Sequence, residues 1–426
     1  MNRNAEASLL IGAALLVSLG VAMVNFTIGR GFDAQVALSF IVWIVSFGSV
    51  SLALRRWAPA ATPYLLPLAA ILAALGFTEI YRLDAGLAAI QRWSFLVAGA
   101  VASLVLFLLR DEGVARLRRY RYLFLTGGIL LLLLPLLPDS LPLHGAEING
   151  SRLWVRFQGF SFQPGEVAKL FLAVFLASYL AENHISMSRH TRRVFGLGFP
   201  PLRHFGPILI AGGVAFIVLV YQRDLGASLL LFALFVGMTY IATGRRSYLA
   251  VGGILVVIGG GVAYQAFDHV QRRVSAWLNP FGDYADSGYQ IAQSLFAMGS
   301  GSLTGSGIGL GRPDLIPAAS TDFIFAAVAE EMGFAGSVAV IAAFALLVAA
   351  GFGIALRTRD VFRKFLAAAL TIVIGVQTLL ILAGVLRLFP VTGITLPFMS
   401  YGGSSLVANM VLIALLARIS HTGRSV

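Results

Sequence analysis

The chain has 426 residues, of which 58% are hydrophobic and only 12% charged, with a mean hydropathy of +0.86. A soluble fold cannot hide that much apolar surface, so the composition excludes an ordinary water-soluble enzyme and points to a polytopic membrane protein. The formal charge of +12 is carried by basic residues scattered between apolar spans, which argues against a nucleic-acid partner, and the absence of cysteine excludes disulfides and thiolate metal sites.

Twelve apolar segments follow one another, centred near Leu16, Val42, Ala70, Gly99, Leu132, Val174, Gly213, Leu231, Leu255, Ala342, Val373 and Leu412. Each is long enough to cross a hydrocarbon core as a helix of roughly 20 residues. The pattern predicts an all-α fold: a polytopic membrane helical bundle of about twelve transmembrane helices forming a single membrane domain. The first segment is of full span length and lacks a small-residue cleavage site, so it reads as a retained helix. With a cytoplasmic N-terminus, 20 of the 31 basic residues fall on the inner side, and this bias predicts both termini inside. The two longest connections, roughly Pro138 to Gly165 and Gln265 to Ser320, then face the extracytoplasmic side, where long loops commonly bind or cover ligands.

The apolar stretch from Asp322 to Leu356 is too long for one upright span, since its helix would extend about 52 Å against a core of roughly 30 Å. Gly333 and Gly336 offer a natural break. Phe334 to Leu356 can cross alone, which leaves Asp322 to Met332 as a short helix at the outer interface, with an acid at its start facing the long loop.

Soluble-enzyme signatures are missing. GSGIGLG at Gly305 to Gly311 lacks the final glycine of a dinucleotide fingerprint, the six histidines are dispersed, and D-Y-A-D at Asp283 to Asp286 has the wrong spacing for a metal-binding D-x-D. What remains is carboxylates and guanidiniums near an outer membrane face. Asp322, in S-T-D-F-I-F, either caps the following helix or serves as a general base made more basic by desolvation. Glu330 and Glu331 lie two turns on, as a salt bridge inside the bundle or as catalytic acids. In Q-P-G-E-V-A-K, from Gln163 to Lys169, Pro164 suits a first helical turn and Glu166 the positive helix end. Glu166 and Lys169 share a face, as a structural ion pair or with Lys169 neutralising a substrate phosphate. Arg152, Arg156, Arg223, Arg272 and Arg273, with Trp154 beside the first two, run against the topology bias; a polyprenyl diphosphate or anionic lipid headgroups would account for them.

Four blocks now stand in order: NGSRLWVRFQGFSFQPGEVAK from Asn149, YQRDLGASLLLF from Tyr221, Asn279 to Gly336 with its TDFIFAAVAEEMGFAG ending, and FPVTGITLPFMSYGGSS from Phe389. Together they resemble the SEDS family (shape, elongation, division and sporulation), the RodA and FtsW peptidoglycan polymerases. The resemblance implies a ten-helix core over 59–426 with a catalytic outer loop at 265–321, preceded by an extra N-terminal helix pair at 1–58. It implies polymerisation of lipid II in bacterial cell wall synthesis, for shape, elongation or division, by inverting transfer of the growing chain from undecaprenyl diphosphate to an acceptor 4-hydroxyl. Asp322 matches the family's essential aspartate, and Trp154, Lys169 and Asp314 match positions around its outer cavity. Lys169 is then expected on phosphate, Asp314 as a second acid, and Trp154 and Gln163 as cavity wall, with Glu166, Arg152, Arg156, Arg223, Arg272 and Arg273 completing the substrate-binding set.

The resemblance also implies a multi-pass protein of the bacterial inner (plasma) membrane that works with a class B penicillin-binding protein transpeptidase. No cofactor or metal ligand is required by the sequence, although a divalent cation (Mg or Mn) is compatible with it. This chain departs from the family pattern in R-L-W at Arg152 to Trp154, in Arg223 for a usual proline, in Ser320 and Ala318 where histidine and glutamate are common, and in Ile381 for asparagine. A lipid-linked oligosaccharide flippase and a non-catalytic scaffold for a penicillin-binding protein are the competing readings.

Overall fold

The apolar run after Arg3 folds as α1 (Arg3–Thr27), and the Asp33 carboxylate accepts the Gln35 N–H at 2.9 Å to cap α2 (Ala34–Trp57). Next come α3 (Leu65–Leu83), α4 (Ala85–Leu108), α5 (Gly113–Arg119) and α6 (Arg121–Leu133). A 3₁₀ turn at Leu134–Leu136 leads into strands β1 (Leu143–Ile148), β2 (Ser151–Phe157) and β3 (Phe160–Phe162), paired antiparallel in sequence order. The chain continues through α7 (Pro164–Arg189), the hairpin strands β4 (Arg192–Val194) and β5 (Leu197–Phe199), α8 (Leu202–Tyr221), α9 (Leu225–Thr243) and α10 (Ser247–Ala266). It ends with α11 (Asp268–Leu278), α12 (Tyr289–Ser300), α13 (Ile324–Arg357), α14 (Val361–Val385) and α15 (Gly403–Arg424). This computed structural model describes residues 3–148, 151–189, 192–194, 197–199, 202–282, 284 and 288–424; Asn149, Asp283 and Asp286 lie outside them.

Among the described residues, 10 helices are long and apolar enough to cross a membrane; α5 and α6, bent by 78°, make up to 11, and Gly206–Tyr221 is a shorter apolar helix. Each of the segment centres read from the sequence falls in one of these elements, and the protein is a multi-pass helical membrane protein. The long connections differ from bare loops. The first carries the three-stranded meander, and the second carries α11, α12 and a 3₁₀ turn at Pro313–Leu315. Apolar periodicity identifies membrane spans but passes over such short, half-polar elements.

The chain falls into two compact units, one comprising Met1–Phe107, Ala263–Ala350 and Gln377–Ala417, the other Leu108–Val262, Gly351–Val376 and Arg418–Val426. In the first, α1 packs on α2 and α3, and an aromatic cluster of Trp43, Phe47, Phe77 and Phe95 joins α2, α3 and α4, with Trp43 and Phe95 ring centroids 4.4 Å apart. Small residues set the spacing there, as expected where lipid gives helices no hydrophobic reason to associate. In the second unit α7 is the central helix, 83% buried over its span and packed on α6 and α9, whereas the span of α10 is only 6% buried.

The helical run of α13 is broken at Gly333, which has φ 66° and ψ −165°. The break falls where the length argument requires one. The Phe334 and Ala335 N–H groups leave the helix ladder and donate to the Ser302 and Leu303 carbonyls at 2.9 and 3.1 Å. A side chain at 333 would be strained by the positive φ and would bring its Cβ within 2.3 Å of the Gly305 nitrogen. Gly333→Ala should therefore destabilise the protein by roughly 1–3 kcal/mol. Gly253, with nothing within 4 Å, is the matched control. Thermal unfolding in detergent should show a lower Tm for Gly333→Ala and no change for Gly253→Ala; equal values would refute the strained break.

Candidate active site

The segment before α13 is held by backbone contacts. The Phe323 N–H donates to the Ala318 carbonyl at 3.3 Å and the Ala326 N–H to the Phe323 carbonyl at 2.9 Å, which closes the entry to the helix without the help of Asp322. Elsewhere the chain uses aspartates as caps: Asp33, Asp84, Asp224 and Asp360 each accept a backbone N–H at 2.7 to 3.0 Å. Among the described residues no backbone amide donates to the Asp322 carboxylate. The capping alternative therefore drops away. Asp322 is half-buried, and desolvation pushes its carboxyl up to about 6, with the Arg273 charge and the Thr321 hydroxyl pulling the other way.

The loop between α14 and α15 fixes this turn. The Tyr401 N–H donates to the Ser320 carbonyl at 2.8 Å, and Ser400 Oγ donates to the Thr321 carbonyl at 2.5 Å while accepting the Leu396 N–H at 2.9 Å. From α11, Arg273 Nη1 donates to the Val391 and Thr392 carbonyls at 3.1 and 3.0 Å. One turn on, Trp277 Nε1 donates to the Arg387 carbonyl at 3.0 Å, and Arg387 Nε returns a bond to the Trp277 carbonyl at 2.8 Å. Gln290 of α12 adds a bond to the Pro317 carbonyl at 3.1 Å. A frame of three chain segments thus surrounds one uncapped acid.

Glu330 and Glu331 serve the glycine-rich loop. Glu331 accepts the Gly309 N–H at 2.7 Å and lies 3.5 Å from Arg82, and Glu330 accepts the Arg312 N–H at 2.8 Å. Arg82 itself donates to the Gly311 carbonyl at 3.2 Å. The ion-pair reading holds for Glu331, and both carboxylates also replace helix partners for a loop that would otherwise strand its amides. Asp314 is paired with Arg312 at 3.2 Å in an exposed position, and Arg272 is exposed on α11 beside Arg273.

The second unit holds the remaining expected residues. Lys169 Nζ lies 2.6 Å from Glu166, both nearly buried, on the first turns of α7. The Gln163 carbonyl accepts the Glu166 N–H at 3.2 Å at the start of that helix. Trp154 stands opposite Ala146 in the meander, Arg156 opposite His144 and Ser161, and Arg152 meets Asp139 at 3.3 Å near solvent. Arg223 has φ 61°, a conformation closed to proline, so the replacement noted in the sequence goes with a distinct local backbone. Sequence reasoning assigned no role to Thr321, Ser400, Tyr401, Trp277 or Arg387. The signal for two of them, Ser400 and Tyr401, lies in the polar residues of the FPVTGITLPFMSYGGSS block.

Among the described residues no group of three or more His, Asp or Glu is arranged to hold a metal ion. The fold and the site define a multi-pass helical membrane protein with a desolvated carboxylate at the head of a broken helix. Residues 54–425 match the model of the FtsW, RodA and SpoVE family, described as cell cycle protein, and the chain belongs to that family. It is 40% identical over 433 residues to the peptidoglycan glycosyltransferase RodA of Mycobacterium tuberculosis, covering 99% of this chain and 91% of the relative. A probable peptidoglycan glycosyltransferase FtsW of a Geobacter species is 35% identical over 69% of this chain and 77% of its own length. Among solved structures, a chain from work on the structural coordination of polymerization and crosslinking by a peptidoglycan synthase complex superposes with TM-score 0.68 at 25% identity, covering 86% of this chain and 99% of that one. The rod shape determining protein RodA of Thermus thermophilus gives TM-score 0.59 at 26% identity, over 85% and 97% of the two chains.

Because the folded-state pKa of Asp322 is raised from 3.8 to about 6, its ionisation opposes folding. The associated stability is present below the unfolded value and is lost as pH rises through about 6. Asp322→Asn should accordingly melt no lower than the wild type at pH 8; a clear fall in Tm would make the carboxylate a structural element.

Proposed function

We propose that the chain is a peptidoglycan glycan-strand polymerase that uses lipid II, moving the growing strand from undecaprenyl diphosphate to the 4-hydroxyl of the acceptor sugar. The observation that carries this reading is the Asp322 carboxylate, left out of helix capping and made basic by desolvation inside a hydrogen-bonded frame. Ionised Asp322 takes the proton of the acceptor hydroxyl as that oxygen bonds to the anomeric carbon of the donor. The anomeric carbon–oxygen bond breaks in line, its electron pair leaves with the diphosphate, and the configuration inverts. Positive charge lowers the cost of that departing group.

Lys169, positioned by Glu166, is the proposed phosphate contact, with Arg152, Arg156, Arg223 and Arg272 supplying further charge. Trp154 and Gln163 are proposed as cavity wall and Asp314 as a second acid. Relatives named peptidoglycan glycosyltransferase support the reaction class. The same reading places the protein in a bacterial plasma membrane with both termini cytoplasmic and Asp322 extracytoplasmic. The resemblance to a chain of a peptidoglycan synthase complex supports a class B penicillin-binding transpeptidase as partner. Residues 59–426 form the proposed catalytic core and 1–58 an added helix pair.

Purified protein given lipid II in detergent, with and without Mg or Mn, should make glycan polymer, and Asp322→Asn should reduce the rate by about 100-fold or more. Wild-type turnover should fall as pH drops through about 6, because protonated Asp322 cannot accept a proton. Polymer formation where there is no membrane to cross separates this reading from a flippase, and undiminished turnover by Asp322→Asn would overturn it. The double variant Glu166→Gln/Lys169→Met removes both charges of a buried pair at once and so avoids leaving one unpaired. It should fold yet lose turnover; retained turnover would make the pair purely structural.

A further inference from the structure

By sequence Arg273 belongs with the arginines able to meet a diphosphate, but its guanidinium is engaged by protein carbonyls. Nη1 donates to two successive carbonyls, those of Val391 and Thr392, and the side chain is half-buried. The next residue, Gly393, has φ 74°, and a Cβ there would come within 3.2 Å of Arg273 Nη2. The turn is therefore shaped around the guanidinium. A few residues further on, Ser400 and Tyr401 of the same loop hold the Thr321 and Ser320 carbonyls, the two that immediately precede Asp322.

We propose that Arg273 is a positioning residue: it fastens α11 to the 391–393 turn and supplies the fixed positive charge that keeps the Asp322 carboxylate ready to accept a proton, with Gly393 leaving room for its guanidinium. The Arg273 charge is the opposing influence on a carboxyl otherwise driven toward its neutral form by burial. The other group acting on Asp322 is the Thr321 hydroxyl in its own turn. In the loop that holds this turn, Tyr401 responds to burial and to Asp84, and Arg387 is bonded to the Trp277 carbonyl. A guanidinium suits the role because it never deprotonates and its planar, rigid end holds Nη1 toward both carbonyls. The inference rests on Asp322 acting as the base.

The test is the pH dependence of lipid II polymerisation by Arg273→Gln, Arg273→Lys and Gly393→Ala, with kcat and KM measured separately. Loss of the cation in Arg273→Gln should move the acidic limb of kcat to higher pH by about one unit, roughly tenfold in rate on that limb, with KM changed less than about twofold. Arg273→Lys should restore most of the limb while lowering Tm, because the charge returns on a flexible side chain without the planar guanidinium around which the turn is shaped. Gly393→Ala keeps the arginine but crowds it, and should shift the limb in the same direction by a smaller amount. A KM rise of about tenfold with the limb unmoved would make Arg273 a substrate ligand and overturn the proposal. An unmoved limb and unmoved KM would overturn it too. Should Arg273→Gln fail to fold, Gly393→Ala and Arg273→Lys still decide the question. Failure of the underlying reading shows separately, as full turnover by Asp322→Asn.

Discussion

A polar group without a partner is costly where water is absent, and this constraint accounts for most charged residues in the spans. Glu6 meets Arg3 and accepts from Ser51 at 2.8 Å; Glu331 meets Arg82 and a backbone amide; Lys169 meets Glu166. Arg418 donates to the Leu109 and Asp111 carbonyls at 2.9 and 2.8 Å. Each of these charges has a partner within the protein. Asp322 is different, since the backbone around it is satisfied by Ser400, Tyr401 and Ala318 and its own carboxylate is not used as a cap. The site is defined by what its neighbours do on its behalf.

The same logic explains the break in α13. A helix that stops and restarts within a membrane protein strands several amides and carbonyls. The 301–312 segment fills that need: Ser306 and Gly307 donate to the Glu330 and Glu331 carbonyls at 2.9 and 3.0 Å, and the two glutamate side chains accept from Gly309 and Arg312. Irregular backbone is tolerated here because protein supplies bonds that water would otherwise make. The glycine-rich loop, which lacks the last glycine of a dinucleotide fingerprint, is the complement of a helix break.

Much of this was legible in the residues. Span length exposed the helices, and the excess length of Asp322 to Leu356 located Gly333 as a break. Motif resemblance singled out Asp322 while local reasoning left it balanced between cap and base, because S-T-D before an apolar run reads identically in both cases. Only the contacts of its neighbours separate them. Lys169 and Glu166 were correctly read as sharing a helix face. The role of Arg273 was not legible, since its partners lie more than a hundred residues away and are backbone carbonyls, which carry no side-chain signature. The meander and the short helices α11 and α12 escaped for a related reason: they are too brief and too polar for hydropathy to mark them.

The N-terminal helix pair takes on a different character in this light. Gly20 of α1 fits against Thr78 of α3, and a Cβ at Gly309 would come within 2.8 Å of the Thr27 hydroxyl at the end of α1. The far end of the first helix is thus a buttress for the loop that seals the break in α13. The family model begins at residue 54, whereas the mycobacterial RodA proteins align over nearly the whole chain. In this chain the hairpin is tied, through the approach of Thr27 to Gly309, to the stretch that holds the broken helix in register.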